Sequence, residues 1–164
     1  MGDYEVAVDM SGDWKYISVV VFFGRPRRSF RPHVASLNKK ARIKVIKELI
    51  DASSRGEIYA VCICAEAKIK ARQMYKITRN KYSAWKRVIS QELNKASQHL
   101  RSKGFWPILR VHADNEFRPF ETILQRVFKT NNTIVEKNDH VAFAGIVAYI
   151  NLKHRSFSNQ QRVL

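Results

Sequence analysis

Residues 4–23 read YEVAVDMSGDWKYISVVVFF, and this stretch decides the architecture. Two β-rich runs, Tyr4 to Met10 and Tyr16 to Phe23, flank the turn-forming residues Ser11 to Asp13. This order predicts a β-hairpin near the start of the chain. It also places the carboxylate of Asp9 close to the end of the first strand.

Helices and strands alternate after the hairpin. A third strand over Ser29 to Val34 is an open alternative, because Pro26 and Pro32 favour an edge strand or a loop there. The apolar run at 57–65 is typical of a central parallel strand with both faces covered. Apolar periodicity and end signals predict further strands at 106–111 and 133–136, and helices at 38–54, 70–103, 117–129 and 141–151. The helix at 70–103 is either continuous or two helices joined near Thr78 to Lys81.

These elements predict one α/β domain over residues 1–152, followed by a basic tail over 153–164. The chain has 164 residues, 45% of them hydrophobic, and no internal repeat or Gly/Ser-rich linker divides it. We expect a mixed sheet with antiparallel hairpin strands first, parallel strands afterwards, and helices on both faces. The longest apolar run, around Ile17 to Phe23, is too short to span a bilayer. Without a secretory signal pattern, a cytoplasmic location is expected.

The charge balance points to a polyanionic partner. Thirty Lys and Arg against fourteen Asp and Glu give a formal charge of +16. Residues 14–47 contain ten of these cations and no acid, and residues 67–91 contain eight more, again with no acid. On an ordinary solvated helix face, acids would alternate with the cations. Clusters without carboxylates instead suit contacts to a phosphate backbone, so we predict RNA or DNA binding.

The cations in these two stretches are the candidate backbone contacts. We expect contacts from Arg25, Arg27, Arg28, Arg31, Lys39, Lys40, Lys70, Arg72, Lys76, Arg79 and Lys81. Tyr75, Tyr82 and Trp85 lie among the second set and allow base stacking. Aromatic residues at helical spacing are more often part of a core, so both interpretations stay open.

Four acids follow strands or open helices at places that converge in an α/β sheet. Asp9 lies in the first strand, and Glu66 and Asp114 each follow a predicted strand. Asp139 opens the last predicted helix. The carboxyl ends of parallel strands meet at one edge of a sheet, so these carboxylates can form a cluster there. Such a cluster needs a cation to offset repulsion, and Mg²⁺ or Mn²⁺ suits carboxylate ligands. Two such ions would support an in-line phosphodiester displacement.

Each acid also has a simpler explanation. Asp9 would then start the hairpin turn, and Asp114 would be a loop acid or a helix cap. Glu66 and Asp139 would be acids favoured by a helix N-terminus. The pattern of all four is more informative than any single member.

The order of elements and acids resembles the RNase H-like superfamily. Asp9 in Val-Asp-Met-Ser-Gly is similar to the first-strand aspartate, and Glu66 matches the second acid of RuvC-type resolvases. Asp139 resembles the acid that opens the last helix in those resolvases and in PIWI-type domains. The start is also similar to uncharacterised archaeal and bacterial RNase H-like proteins with an Asp-x-Ser-Gly strand. The resemblance implies an RNase H-like fold and a metal-dependent nuclease whose ligands are Asp9, Glu66, Asp114 and Asp139.

The chain departs from that pattern in two places. Met10 stands where several relatives carry a Glu, and residues 117–136 add a helix and a strand to a minimal RNase H domain. Two alternatives therefore stay open: whether Asp114 or Glu116 is the third ligand, and whether Asp139 reaches the site.

Two functions from different classes remain after the motifs are considered. The first is a divalent-metal-dependent nuclease, in which His112 and His140 are either ligands or proton shuttles, or merely structural. The second is a non-catalytic RNA- or DNA-binding protein with the same fold. The sequence contains no Walker-type loop, Gly-x-Gly-x-x-Gly, Gly-x-Ser-x-Gly or zinc-finger spacing, which disfavours NTP-driven motors, Rossmann dehydrogenases and serine hydrolases.

Overall fold

The computed structural model describes residues 4–24 and 37–153 and contains one five-stranded sheet within that part of the chain. The strands are β1 (Tyr4–Ser11), β2 (Tyr16–Phe22), β3 (Ile58–Cys64), β4 (Ile108–Ala113) and β5 (Thr133–Val135). The helices are α1 (Lys39–Ser54), α2 (Ala67–Thr78), α3 (Lys81–Ser102), α4 (Glu121–Phe128) and α5 (Asp139–Lys153), with a 3-10 helix at Asn115–Phe120 before α4. The third strand considered at 29–34 and all but the first residue of the predicted tail lie outside the described residues.

The sheet is mixed, as the sequence predicts. Its order is β3-β2-β1-β4-β5, so β1 lies in the centre. β1 pairs with β2 in the antiparallel direction and with β4 in the parallel direction, and β5 is parallel to β4. The hairpin prediction is confirmed, with Asp9 opposite Ser18.

Helices cover both faces of the sheet. Ala7 of β1 and Val20 of β2 pack with α1 and α5 on one face. Val6 and Val8 point to the other face, where they pack with α3 and α4. Because strand side chains alternate, Glu5, Ala7 and Asp9 share the face that α5 covers. The α/β class with helices on both faces is confirmed.

The prediction that residues 57–65 form a central parallel strand is wrong. β3 is antiparallel to β2 and is the outermost of the described strands on that side. Its apolar sequence arises because Tyr59 and Val61 face one helical layer while Ala60 and Cys62 face the other. An apolar strand sequence therefore indicates that helices cover both faces of the strand, but it does not indicate whether the strand is central or at the edge of the sheet.

The long helical stripe at 70–103 is two helices. Arg79 adopts a left-handed conformation (φ 57°) that ends α2. Asn80 then caps α3, since its side-chain oxygen accepts a hydrogen bond from Ser83 N at 2.9 Å. The last predicted helix begins two residues earlier than its apolar pattern, at Asp139.

Candidate functional site

Asp9 is a buried carboxyl at the end of the central strand. Only 9% of its surface is exposed, and its Oδ1 accepts a hydrogen bond from Met10 N at 2.7 Å. Gly145 of α5 lies directly against it, because a Cβ at position 145 would sit 2.6 Å from Asp9 Oδ2. Beside it on β2, the hydroxyl of Ser18 donates to the carbonyl of Ala144. α5 therefore carries the small residues Ala144 and Gly145 where it crosses the strands beside Asp9.

Asp114 follows the parallel neighbour of β1. Val8 and Ala113 are register partners, and Asp114 N donates to Val8 O at 3.3 Å. Asp9 follows Val8 and Asp114 follows Ala113, so the two acids come at the same level of two adjacent parallel strands. Asp114 is half-buried, and the exposed Glu116 lies two residues further on, in the 3-10 helix.

The electrostatics of this pair favour a cation. Burial, followed by the charges of Asp114 and Glu116, raises the pKa of Asp9 to about 7, against the opposing effects of the Met10 N–H and Lys137. The Asp9 carboxyl therefore keeps its proton to a much higher pH than an ordinary aspartate. A divalent cation would relieve the repulsion and favour the ionised form.

The other two predicted ligands lie on different elements. Glu66 is the residue before α2, with its Oε1 3.9 Å from Lys15 Nζ and near Cys64 Sγ. Asp139 is exposed in the first turn of α5, where its charge acts on His140. Neither residue is among the charges that act on the pKa of Asp9. The structure thus brings Asp9 and Asp114 together, with Glu116 nearby, and places Glu66 beside the hairpin turn.

A second polar cluster occupies the same face of the sheet. It joins Glu5 of β1, His112 of β4 and His140 of α5, each of which offers a ligand atom within 4.8 Å of the others. His112 Nε2 lies 2.8 Å from Glu5 Oε1, and the two imidazole rings stack at 3.9 Å with 3° between their planes. These residue types at these distances suit a metal ion.

The hydrogen bonds of the cluster define its protonation. Asn138 Oδ1 caps α5 by accepting from Val141 N, which directs Asn138 Nδ2 to His112 Nδ1 at 2.9 Å. His112 Nδ1 is then an acceptor, so Nε2 carries the proton and donates it to Glu5. Burial lowers the pKa of His112, and burial together with the neighbouring His112 lowers the pKa of His140 to about 4. Both rings are neutral at pH 7.

A metal ion would change this arrangement. To hold an ion, His112 Nε2 would have to release the proton that it donates to Glu5. In the conformation described, the cluster fastens the start of α5 to β1 and β4.

Sequence reasoning based on strand ends does not identify four residues that lie in or beside these clusters. Glu5 precedes Asp9 by four positions, which gives it the same face of β1. Asn138 is a residue type that caps helices and lies just before α5. Lys137 and Gly145 carry no local signal, because their importance depends on where α5 crosses the sheet.

The cations of the second basic stretch line a cleft between α2 and α3. The cleft has a volume of about 660 Å³ and is lined by Lys68, Arg72, Tyr75, Lys76, Lys81 and Trp85. The exposed Arg79 lies at the end of α2. Lys70 instead places its Nζ 3.0 Å from the buried Glu92 Oε2, and that ion pair competes with any contact to phosphate.

The first basic stretch is only partly described. Lys39 and Lys40 are exposed in the first turn of α1, in the layer opposite α2 and α3. The predicted contacts Arg25, Arg27, Arg28 and Arg31 lie outside the described residues.

Helices long and apolar enough to cross a membrane are absent from the described part of the chain. The sequence matches no protein-family model and no curated protein.

Proposed function

We propose that the chain is a divalent-metal-dependent nuclease that hydrolyses phosphodiester bonds of RNA or DNA. The observation that carries the proposal is that Asp9 and Asp114 directly follow Val8 and Ala113, which are register partners on adjacent parallel strands. The two carboxyls are close enough for the charge of Asp114 to raise the pKa of Asp9. Carboxylates that converge and raise one another's pKa are typical of metal sites.

The position of Asp9 also supports the resemblance to the RNase H-like superfamily. The hairpin aspartate lies on the central strand of a mixed sheet, β4 and β5 run parallel to that strand, and the last helix packs across it. We infer an RNase H-like domain and, with it, a cytoplasmic nucleic-acid enzyme.

In this proposal, Asp9 and Asp114 would hold Mg²⁺ or Mn²⁺, with Glu116, Glu66 and Asp139 as further candidates. The metal would activate the attacking water and stabilise the charge on the leaving oxygen. Gly145 leaves the space that the Asp9 carboxylate occupies, and the Met10 N–H orients its Oδ1. The cations of α2 and α3 would bind the phosphate backbone.

A non-catalytic nucleic-acid-binding protein is the second candidate. The pairing of Glu66 with Lys15 favours it, because that carboxylate already has a cationic partner. In this case the basic cleft would retain its role while the carboxyl pair would hold no reacting metal.

Cleavage assays with a panel of substrates distinguish the two functions. We expect labelled RNA, DNA, RNA–DNA hybrid or branched DNA to be cut with Mg²⁺ or Mn²⁺ and to stay intact with EDTA. Substrates that are bound but never cut under any of these conditions would establish the binding protein instead.

Binding to nucleic acid should weaken steeply with salt. Backbone contacts release counterions, so we expect a log–log slope of several units and little dependence on sequence. Reversing the charge in Lys76→Glu or Arg79→Glu should each reduce that slope by about one unit. Lys103→Glu, an exposed change at the far end of α3, is the matched control and should leave the slope unchanged. A salt-independent affinity would contradict backbone binding.

A further inference from the structure

We propose that the cleft between α2 and α3 binds an unpaired nucleotide, so that the substrate of this nuclease is single-stranded where it contacts the protein. The inference deepens the proposed function and rests on it. The cleft combines cations with aromatic rings and has no acidic lining residue among the described ones. Its volume of about 660 Å³ lies within the range of small-ligand pockets, about 300–1,000 Å³.

Tyr75 and Trp85 supply the surfaces for a base. Tyr75 is 48% exposed, a large fraction for an aromatic ring on a packed helix. Trp85 is half-buried and lies across the cleft on α3. Rings held in this way stack on any base, because every base presents a π face.

Arg72, Lys76 and Lys81 supply the charge for the flanking phosphates. Among the described residues, these three side chains make no ion pair, whereas Lys68 at the same cleft is bound to Asp13 of the hairpin turn. Three cations beside an aromatic floor match one nucleotide and its neighbouring phosphates. A paired base in a duplex cannot offer its face to such rings, so the cleft selects unpaired bases.

Aromatic contacts connect the cleft to the carboxyl pair. Trp14, in the hairpin turn after Asp9, packs edge-on against Trp85 with ring centroids 5.9 Å apart. The same indole contacts Phe117, three residues after Asp114, at 4.9 Å. On the neighbouring turn of α3, the hydroxyl of Tyr82 donates to Pro119 O at 2.9 Å. One wall of the cleft is therefore attached to both segments that carry the candidate metal ligands.

A comparison of two oligomers of equal charge tests this cleft. The probes are a short fluorescein-labelled oligodeoxythymidylate and a sugar-phosphate oligomer of the same length without bases, each titrated in EDTA so that no cleavage occurs. We expect the oligodeoxythymidylate to bind at least about fivefold more tightly, since stacking on one aromatic ring is worth roughly 1–3 kcal/mol per base. It should also quench Trp fluorescence more strongly.

Variants of two exposed residues of α2 assign the effect to the cleft. Tyr75→Ala should remove most of the preference for the oligomer with bases, and Tyr75→Phe should retain it. Ile77→Ala is the control, because Ile77 is 72% exposed on the same helix as Tyr75 but does not line the cleft. Melting curves confirm that each variant is folded.

The outcomes separate this inference from the proposed function. Equal affinity for the two oligomers, or a preference that survives Tyr75→Ala, would overturn the nucleotide cleft even if metal-dependent cleavage is found. A preference that depends on Tyr75 supports the cleft, and absence of cleavage by the same preparation would then count against the nuclease alone.

Discussion

Asp9→Asn should lower the rate of metal-dependent cleavage by about 10³-fold or more while nucleic-acid binding stays within about twofold. The substitution keeps the shape and the acceptor for Met10 N but removes an anionic oxygen from the proposed metal site. Metal ions contribute several kcal/mol of transition-state stabilisation, and about 4 kcal/mol corresponds to about 10³-fold in rate. Asp114→Asn should have an effect of similar size. Single-turnover assays measure the cleavage rate, and titrations in EDTA measure the binding affinity separately.

The matched control is Asp51→Asn. Asp51 is exposed on α1, so the change removes the same charge without touching either carboxyl cluster. Its cleavage rate should equal that of the parent. Undiminished cleavage by a purified Asp9→Asn protein would place the activity elsewhere on the chain or in a contaminant.

Glu66→Gln and Asp139→Asn rank the remaining candidates in the same assay. A loss comparable to that of Asp9→Asn would make either residue a ligand. Rates close to the parent would leave the site to Asp9, Asp114 and Glu116, the carboxyls that the electrostatics connect.

Local patterns predict the pairing of Asp9 with Asp114 for a physical reason. The alternation of β1 and the apolar run of β4 mark the strand ends, and the parallel crossover between them brings those ends to one edge. Both signals are short in range. Errors in the predicted boundaries of the helices between these strands therefore do not affect them.

Other features of the structure depend on contacts between distant segments, so local sequence patterns do not predict them. The stacking of His112 on His140 depends on how α5 crosses the sheet. Lys70 has the same local sequence context as Arg72, yet the buried Glu92, 22 residues later, pairs with it. The edge position of β3 is hidden as well, because helical layers on both of its faces produce the apolar sequence of a central strand.

The stability of the metal-free protein should depend on pH through Asp9. Its pKa in the folded protein, about 7, lies above the ordinary value of 3.8, chiefly because of burial. Between those two pH values the folded state keeps a proton that the unfolded state has released. The stabilisation is therefore present below about pH 4 and is lost as pH rises through about 7. The difference between these two pKa values corresponds to up to about 4 kcal/mol in the free energy of unfolding.

Asp9→Asn should remove this dependence, so that the variant gains up to about 4 kcal/mol over the parent between pH 4 and pH 8. The difference between the two proteins is the informative quantity, because His112 and His140 affect both. Burial lowers the pKa values of these rings, so they destabilise the fold on acidification in parent and variant alike. Denaturant unfolding in EDTA across this range measures the difference. Parallel pH curves would show that the Asp9 carboxyl titrates normally.

Millimolar Mg²⁺ should then stabilise the parent at pH 8 and Asp9→Asn much less. A ligand that binds only the folded state adds RT ln(1 + [L]/Kd) to the free energy of unfolding, so the increment reports the affinity of the site. Because metal binding displaces the proton from Asp9, the increment in the parent should grow from pH 5 to pH 8. If Asp9 only shaped the hairpin turn, Mg²⁺ would act equally on both proteins. Equal metal-induced shifts at pH 8 would therefore rule out Asp9 as a ligand, whatever the cleavage assays show.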